Sequence, residues 1–441
     1  MTVVKNDVCI GCGVCVPLCP INNLRMVWKN GKFEALHNSE ECLSKCVACF
    51  KVCPFDDSSR NEDSLSRDLY ADIEGISFDP DCGYYLKNYV GHAPELKKRM
   101  KSASGGLTTY LLETLLNSGK VNYVATVAKV TGSETLFKYK MCSTIDEIND
   151  CNGSAYYPVE ISSMLEDILN IDGRYAVVAL PCVSKAIRNA MLTNSVLKTK
   201  IKFIIGLVCS QTKTDFFSRY LAKKQKIESL TAINFRTKSE NTPTSNYKVK
   251  MEGSDGTENY INFTDFSMDW SDRYFTPNAC NFCDDVFAET ADIAMMDAWL
   301  PIYSKSVEGY NLILNRNVEL EEILKSVGNM KEIDIDGIKN SQRLATISKR
   351  HDISARILRA NKKKEFVPKK REHLLNNAVF ERRFVASFTY DISRISQRYW
   401  QESGGNLTTF NRLMRNSRFE MFVRRQIYRF FTILKQIKGQ R

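Results

Sequence analysis

Two short cysteine runs are the places where this chain could do chemistry. Cys9, Cys12, Cys15 and Cys19 stand at gaps of two, two and three residues and lead into Pro20; Cys42, Cys46, Cys49 and Cys53 lead into Pro54 and repeat the run with one extra residue in the first gap. Two-residue gaps let a tight loop aim three thiolates at one face of an iron-sulfur cubane. Gly11 and Gly13 permit the turns, and the fourth cysteine of each run serves the other cluster. The spacing therefore predicts two 4Fe-4S clusters, one on Cys9, Cys12, Cys15 and Cys53 and one on Cys42, Cys46, Cys49 and Cys19. Paired zinc knuckles are the alternative, but zinc sites usually offer two separated pairs of ligands, not a triplet plus Cys-Pro. Such clusters move electrons.

Seven cysteines remain, and four sit in informative places. Cys182 follows a strand-like run in Ala179-Leu180-Pro181-Cys182, Cys209 ends another in Gly206-Leu207-Val208-Cys209, and Cys280 and Cys283 form a Cys-x-x-Cys. Strand ends of an α/β sheet converge on one edge, so three segments could bring four thiolates to a third cluster. The other reading leaves Cys182 and Cys209 as small buried apolar residues and Cys280 with Cys283 as a redox or zinc pair. A further loop, Ser102-Ala103-Ser104-Gly105-Gly106-Leu107-Thr108-Thr109, opens an apolar helical run. Free N–H groups at such a helix start suit a phosphate, although paired glycines there also make an ordinary tight turn.

The elements that must position these residues divide the 441-residue chain into four segments, and its 43% hydrophobic content marks a folded protein. Residues 1–58 form a two-cluster ferredoxin domain, 59–98 a polar and acidic connector, 99–335 an α/β domain and 336–441 a basic helical region. In the third segment, β-type runs at Val121–Val130, Tyr175–Leu180 and Ile201–Val208 alternate with helical patterns at Leu107–Leu116 and Ser184–Leu192. The fold class is accordingly α+β: a bacterial-ferredoxin-like domain, a central α/β domain and a helical C-terminus. No run approaches the roughly 18 to 20 apolar residues of a spanning helix, and the N-terminus has no secretory pattern, so the expected location is the cytoplasm.

Five blocks occur in order: Ser104-Gly105-Gly106-Leu107-Thr108; Gly153-Ser154-Ala155-Tyr156; Pro181-Cys182; Gly206-Leu207-Val208-Cys209; and Cys280-x-x-Cys283 through Ala291-Asp292-Ile293 to Asp297-Ala298-Trp299. Together, over residues 5–315, they resemble the family of deazaflavin-coenzyme hydrogenase and dehydrogenase beta subunits, including its N-terminal ferredoxin domain. The resemblance implies FAD in the α/β domain, with Ser104, Gly105, Gly106, Thr108, Gly153, Ser154 and Tyr156 at the flavin. It also implies a third 4Fe-4S cluster on Cys182, Cys209, Cys280 and Cys283. The family often carries a lysine at the position of Ala155, a glutamine at Val183 and an arginine just before the Cys-x-x-Cys, where this chain has Asn278-Ala279. Losing those groups argues against an anionic deazaflavin coenzyme as ligand and for another organic acceptor.

The expectation that follows is a FAD-dependent iron-sulfur oxidoreductase. It would take electrons from a ferredoxin-like low-potential donor and pass them to an organic acceptor; polysaccharide synthesis is one setting the resemblance implies. The alternatives are a non-catalytic electron-relay subunit of a larger oxidoreductase and a reductase or dehydrogenase that uses the deazaflavin coenzyme. With only four histidines, acid chemistry would fall to Tyr156, His92 or a carboxylate, and Asp292 and Asp297 would polarise the site or simply hold a turn. Residues 340–441 hold 24 Lys/Arg against 7 Asp/Glu, so the net charge of +11 is a C-terminal property. There, Phe419, Phe422, Val423, Ile427, Phe430, Leu434 and Ile437 recur at helical spacing, with Arg424, Arg425, Arg429, Lys435 and Lys438 largely on other faces. Such a helix docks on the body, on a partner subunit, or on an anionic surface at the inner face of the membrane. No nucleic-acid-binding module accompanies the charge.

Overall fold

The computed structural model describes residues 2–39, 42–43, 46–239, 242–327, 329–371 and 380–439. Its N-terminal module is built around a hairpin of β1 (Leu24–Lys29) and β2 (Lys32–His37). Asn30 and Gly31 turn it with positive φ of 53° and 69°, the conformation that an Asn-Gly pair favours in a two-residue hairpin loop. Val14 and Val52 of this module share a core with Leu165, Val177 and Ile187, while Val3, Val8 and Phe55 pack with Phe282, Ile353 and Tyr390. The module is therefore seated on the body of the chain.

The remaining strands are β3 (Ser77–Asp79), β4 (Gly83–Tyr85), β5 (Lys87–Gly91), β6 (Tyr123–Lys129), β7 (Phe137–Cys142), β8 (Tyr175–Ala179) and β9 (Ile201–Leu207). After them come β10 (Leu230–Thr237), β11 (Lys248–Gly253), β12 (Glu258–Asn262), β13 (Ile293–Asp297), β14 (Asn311–Asn315) and β15 (Met330–Glu332). Eight strands form one mixed sheet in the order β15-β5-β14-β13-β9-β8-β6-β7. Its centre, β13-β9-β8-β6, is parallel, and the outer pairs are antiparallel. Central β8 is buried along its whole length, as expected for a parallel strand covered on both faces. A separate antiparallel meander, β10-β11-β12, is inserted in sequence between β9 and β13 and forms its own three strands.

The segment 59–98, read from its polarity as a connector, is more than that. β5 pairs with both β14 and β15 inside the large sheet, and Leu65, Tyr70 and Cys82 are buried. Its acidic residues misled because they are consumed in ion pairs: Glu62 with Lys185, Asp63 with Arg371 and Asp79 with Lys339.

The C-terminal region is helical, as its periodicity predicted. Helix Arg383–Glu402 turns at Gly404 (φ 57°) and Gly405 (φ 74°) into helix Leu407–Gly439. Phe388, Ile392, Trp400, Phe410 and Met414 of this hairpin join Phe217, Tyr220 and Phe275 in one aromatic core. Among the described residues, no helix is long and apolar enough to cross a membrane.

Arg316, directly after β14, is wholly buried and staples three segments. Its guanidinium donates to the carbonyls of Tyr84 (2.8 Å), Cys82 (3.0 Å), Phe287 (3.2 Å), Ala288 (3.2 Å) and Ala291 (3.3 Å). Replacing it removes five hydrogen bonds to these carbonyls, of which that of Ala288 also accepts from the Ala291 amide at 2.9 Å. Arg316→Met is expected to cost about 3 kcal/mol or more of stability. An unchanged denaturant midpoint for the full chain would refute the staple.

Candidate metal centres

The loop from Cys9 to Cys15 can wrap tightly because Gly11 (φ 73°) and Gly13 (φ 81°) adopt left-handed conformations. A Cβ at Gly11 would stand 2.3 Å from the Phe33 carbonyl oxygen, so the loop lies directly on β2. Burial pushes the Cys12 thiol up to about 12, and the charge of Cys9 adds to the shift. Cys15 is raised by burial and then by Cys12, Cys9 and Cys53, and Cys53 by burial and then by Cys12 and Cys9. These four thiols therefore face a common space. Cys49 is influenced, after burial, by Cys46 and Cys42, and Cys42 is exposed. Cys19 accepts a hydrogen bond from the Asn23 amide at 3.2 Å. The second set thus lies nearer solvent than the first.

The four later cysteines are brought together from three places. Cys182 lies in the first turn of helix Pro181–Thr193, just beyond β8, and Cys209 lies just beyond β9. Cys280 and Cys283 come from the short helix Asn278–Phe282 and the residue after it. The Cys209 amide donates to the Val286 carbonyl at 3.1 Å, which ties the two sides together. Burial, then Cys283, Cys280, Cys209 and finally Cys12, hold the Cys182 thiol well above its ordinary value. The inclusion of Cys12 places this group beside the inner set of the N-terminal module. Tyr139 marks the same seam: its hydroxyl donates to the Val178 carbonyl at 2.9 Å, and burial followed by Cys182 and Cys12 pushes its pKa up.

Cations surround these later thiols. Lys349 Nζ donates to Cys283 Sγ at 3.2 Å and to the Asp285 carbonyl at 2.5 Å. Burial alone would lower its pKa, but Cys283, Cys209 and Asp285 outweigh burial and keep it charged. Arg273 donates to the Cys280 carbonyl at 2.9 Å, and Arg356 to the Asn281 carbonyl at 3.0 Å. Lys349 and Arg356 were missed by sequence reasoning, because in a basic helical region they look like solvated charges. Among the described residues, no three His, Cys, Asp or Glu groups stand close enough to share one metal ion. A four-iron cubane, whose thiolates each bind a separate iron, does not ask for that.

The Ser104-Gly105-Gly106 loop is tied to the neighbouring strand and its approach. Ser104 Oγ donates to the Tyr310 carbonyl (2.6 Å), the Leu107 amide to Asn311 Oδ1 (3.0 Å) and the Ala93 amide to the Gly105 carbonyl (2.8 Å). A Cβ on Gly105 would lie 2.8 Å from the Asn311 backbone nitrogen, so this glycine admits a close backbone approach. Lys238 Nζ completes the knot with the carbonyls of Arg99 (2.5 Å), Ser104 (2.5 Å) and Glu308 (2.6 Å). The Ser104 hydroxyl, the Ser104 and Gly105 carbonyls and the Leu107 amide are thus bonded to the chain itself, and Thr108 is half-buried in the first turn of the following helix.

Gly153 (φ 120°) follows Asn152, whose Oδ1 accepts from Thr109 Oγ1 at 2.6 Å, and leads into Ser154 and Tyr156. Tyr156 packs edge-on against Phe235 and Trp270, with its hydroxyl toward Arg236 and Ser154. Arg236 is buried between the rings of Tyr247 (4.6 Å) and Trp299 (5.2 Å) and bonds Asp297 at 2.6 Å. The alternation Asn234-Phe235-Arg236-Thr237-Lys238 was the signal for Arg236 and Lys238, both missed. Asp292 holds structure: it accepts from Arg188 (2.8 Å) and the Ile204 amide (2.7 Å). His92 has its Nδ1 2.9 Å from the Ala93 carbonyl and its ring against Tyr310.

Comparison with known proteins agrees with this geometry. Residues 8–56 match the 4Fe-4S dicluster domain. Residues 88–166 match the N-terminal part, and residues 172–341 the C-terminal part, of the coenzyme F420 hydrogenase/dehydrogenase beta subunit, together more than half of the chain. The chain is 22% identical over 347 residues to a subunit of the F(420)H(2) dehydrogenase from Methanosarcina mazei, an alignment covering 75% of this chain and 85% of the relative. In fold it is similar to a chain of the xenon-derivatised F420-reducing NiFe hydrogenase complex from Methanosarcina barkeri. That match has a TM-score of 0.50 at 16% identity and covers 67% of this chain and 99% of the other. The expectation of a FAD-dependent iron-sulfur oxidoreductase enzyme is thereby overturned, because the relatives are oxidoreductase subunits and FAD dependence is not among what they show. Carrying a 4Fe-4S dicluster domain ahead of both halves of the beta-subunit sequence, this chain belongs to the family of coenzyme F420 hydrogenase/dehydrogenase beta subunits.

Proposed function

We propose that the chain is an electron-relay subunit of a larger oxidoreductase and holds three 4Fe-4S clusters in a line from its surface to its interior. The observation that carries this reading is the convergence of Cys182, Cys209, Cys280 and Cys283 beside Cys12. Clusters held by such thiolates supply reversible one-electron transfer. Cys42, Cys46, Cys49 and Cys19 hold the outermost position, where exposed Cys42 offers a contact point to a soluble donor such as a ferredoxin. Cys9, Cys12, Cys15 and Cys53 hold the middle position within residues 1–58. The body contributes the third ligand set, and its partner is the catalytic subunit that transforms the organic substrate. The naming of relatives as a beta subunit and as one subunit of a dehydrogenase supports a partner of this kind.

The residues around the innermost set fit a charged cluster. They exclude water, and Lys349, Arg273 and Arg356 supply the countercharge that buried thiolates require. Lys349 does most, since its ammonium points directly at Cys283 Sγ. A cation and hydrogen-bond donor at a ligating sulfur favours the more negative, reduced form of a cluster.

Two measurements test the reading. Anaerobic iron analysis is expected to find about twelve irons per chain, falling to about eight in Cys182→Ser. Eight irons in both proteins would leave only the N-terminal module and refute the third ligand set. In Lys349→Met, redox titration followed by electron spin resonance should show one centre about tenfold harder to reduce, a shift of about 59 mV for a one-electron couple. Iron content should be unchanged and Lys349→Arg should keep most of the wild-type potential; equal potentials in all three proteins would remove Lys349 from this role.

A further inference from the structure

We infer that the C-terminal helix is a docking element for an anionic lipid surface. Helix Leu407–Gly439 has two apolar faces, and the body covers only one. Phe410, Met414 and Met421 are buried on the covered face, Phe431 stacks on Phe384, and Arg424 lies 4.7 Å over the Phe388 ring. At 100° per residue, Phe419, Phe422, Val423, Ile427, Phe430, Ile433 and Leu434 fall on the opposite side. All of them are exposed, with Phe419 at 68%, Phe430 at 59% and Phe422 at 56%. The stripe that sequence reading could have assigned to a core is therefore left in solvent, while a different set of residues does the docking. Ile437, also expected on the stripe, lies outside the described side chains.

Charge decides what covers this face. Residues 412–441 contain nine Lys/Arg and a single acid, Glu420. Arg424, Arg425 and Lys435 are already paired with Glu420, Asp272 and Glu381. Arg412, Arg415 and Arg429 make no ion pair among the described residues, and Arg429 is exposed beside Phe430. A second copy of the helix would bring equal positive charge against this one. Anionic headgroups supply the opposite charge, and the acyl boundary beneath them accepts the phenyl and aliphatic side chains of a helix lying in the membrane plane. Near such a surface each basic residue adds to binding, and salt weakens it. The surface is independent of the cysteine sets, so the relay reading and the docking reading stand or fall separately.

The test uses the full chain, purified anaerobically, in flotation with vesicles of phosphatidylcholine alone or with added phosphatidylglycerol. The wild type should float with the anionic vesicles, remain behind with the neutral ones, and be released by salt. Phe422→Asp combined with Phe430→Asp should weaken partitioning about tenfold or more, as should glutamine at Arg412, Arg415 and Arg429 together. Leu344→Asp, at an 83% exposed apolar position elsewhere, should bind as the wild type does. Far-ultraviolet helicity and cluster absorbance check that each variant is folded. Failure of the wild type to bind anionic vesicles overturns the inference, as does binding that the helix variants leave unchanged. Salt-insensitive self-association that the Phe422 and Phe430 variants abolish, in place of vesicle binding, would also overturn it.

Discussion

Four thiols gathered at one seam, Cys280 and Cys283 buried and Cys182 and Cys209 half-buried, impose a charge requirement that much of the surrounding architecture answers. A thiolate taken out of water is costly unless a cation or hydrogen-bond donor accompanies it, and removing one partner from a buried pair costs about 3 to 5 kcal/mol. Here the partners arrive from distant parts of the chain: Arg273 from the segment leading to the Cys-x-x-Cys, and Lys349 and Arg356 from beyond the large sheet. The parallel centre of that sheet presents Cys182 and Cys209 side by side at the ends of β8 and β9.

The chain beyond residue 341 lies past the matched beta-subunit regions, yet it is bound closely into the body. Arg371 reaches Asp284, Glu289 and Asp63, while Arg350 reaches Glu289 and the Pro80 carbonyl. One ion network therefore joins the start of the segment that follows the ferredoxin module, the loop after Cys283 and the C-terminal extension. Asp284 is held well below the ordinary carboxylate range, although burial opposes this, chiefly by Arg371 and Lys370. A densely paired network next to closely spaced thiols limits the rearrangement that accompanies a change of charge there.

Aromatic packing provides the other half of the rigidity. The β10-β12 meander and the C-terminal hairpin meet around Tyr220, Phe275, Trp400 and Phe410, whose rings lie edge to face, tilted or stacked at 5.3 to 6.0 Å. This core fixes one face of the last helix and leaves its Phe-rich opposite face available. The Ser104-Gly105-Gly106 loop obeys the same economy of close approach, since its glycines let backbone meet backbone at Asn311 and Lys238 then binds the knot.

The cysteine spacing by itself marked residues 9–53 as a 4Fe-4S dicluster domain, because gaps of two and three residues limit where thiolates can point within a few ångströms of their own backbone. Periodicity also determined β8, β9 and the C-terminal helices, since burial on one or both faces writes itself directly into apolar spacing. Tertiary structure alone decided that the acidic stretch 59–98 supplies β5, that Lys349 and Arg356 attend Cys283 and Cys280, and that Arg236 lies between Tyr247 and Trp299. It likewise decided which of two apolar faces of the last helix would be buried. Each of these depends on a partner distant in the chain or on a competing surface, and local residue type carries no record of where in space its partner will be.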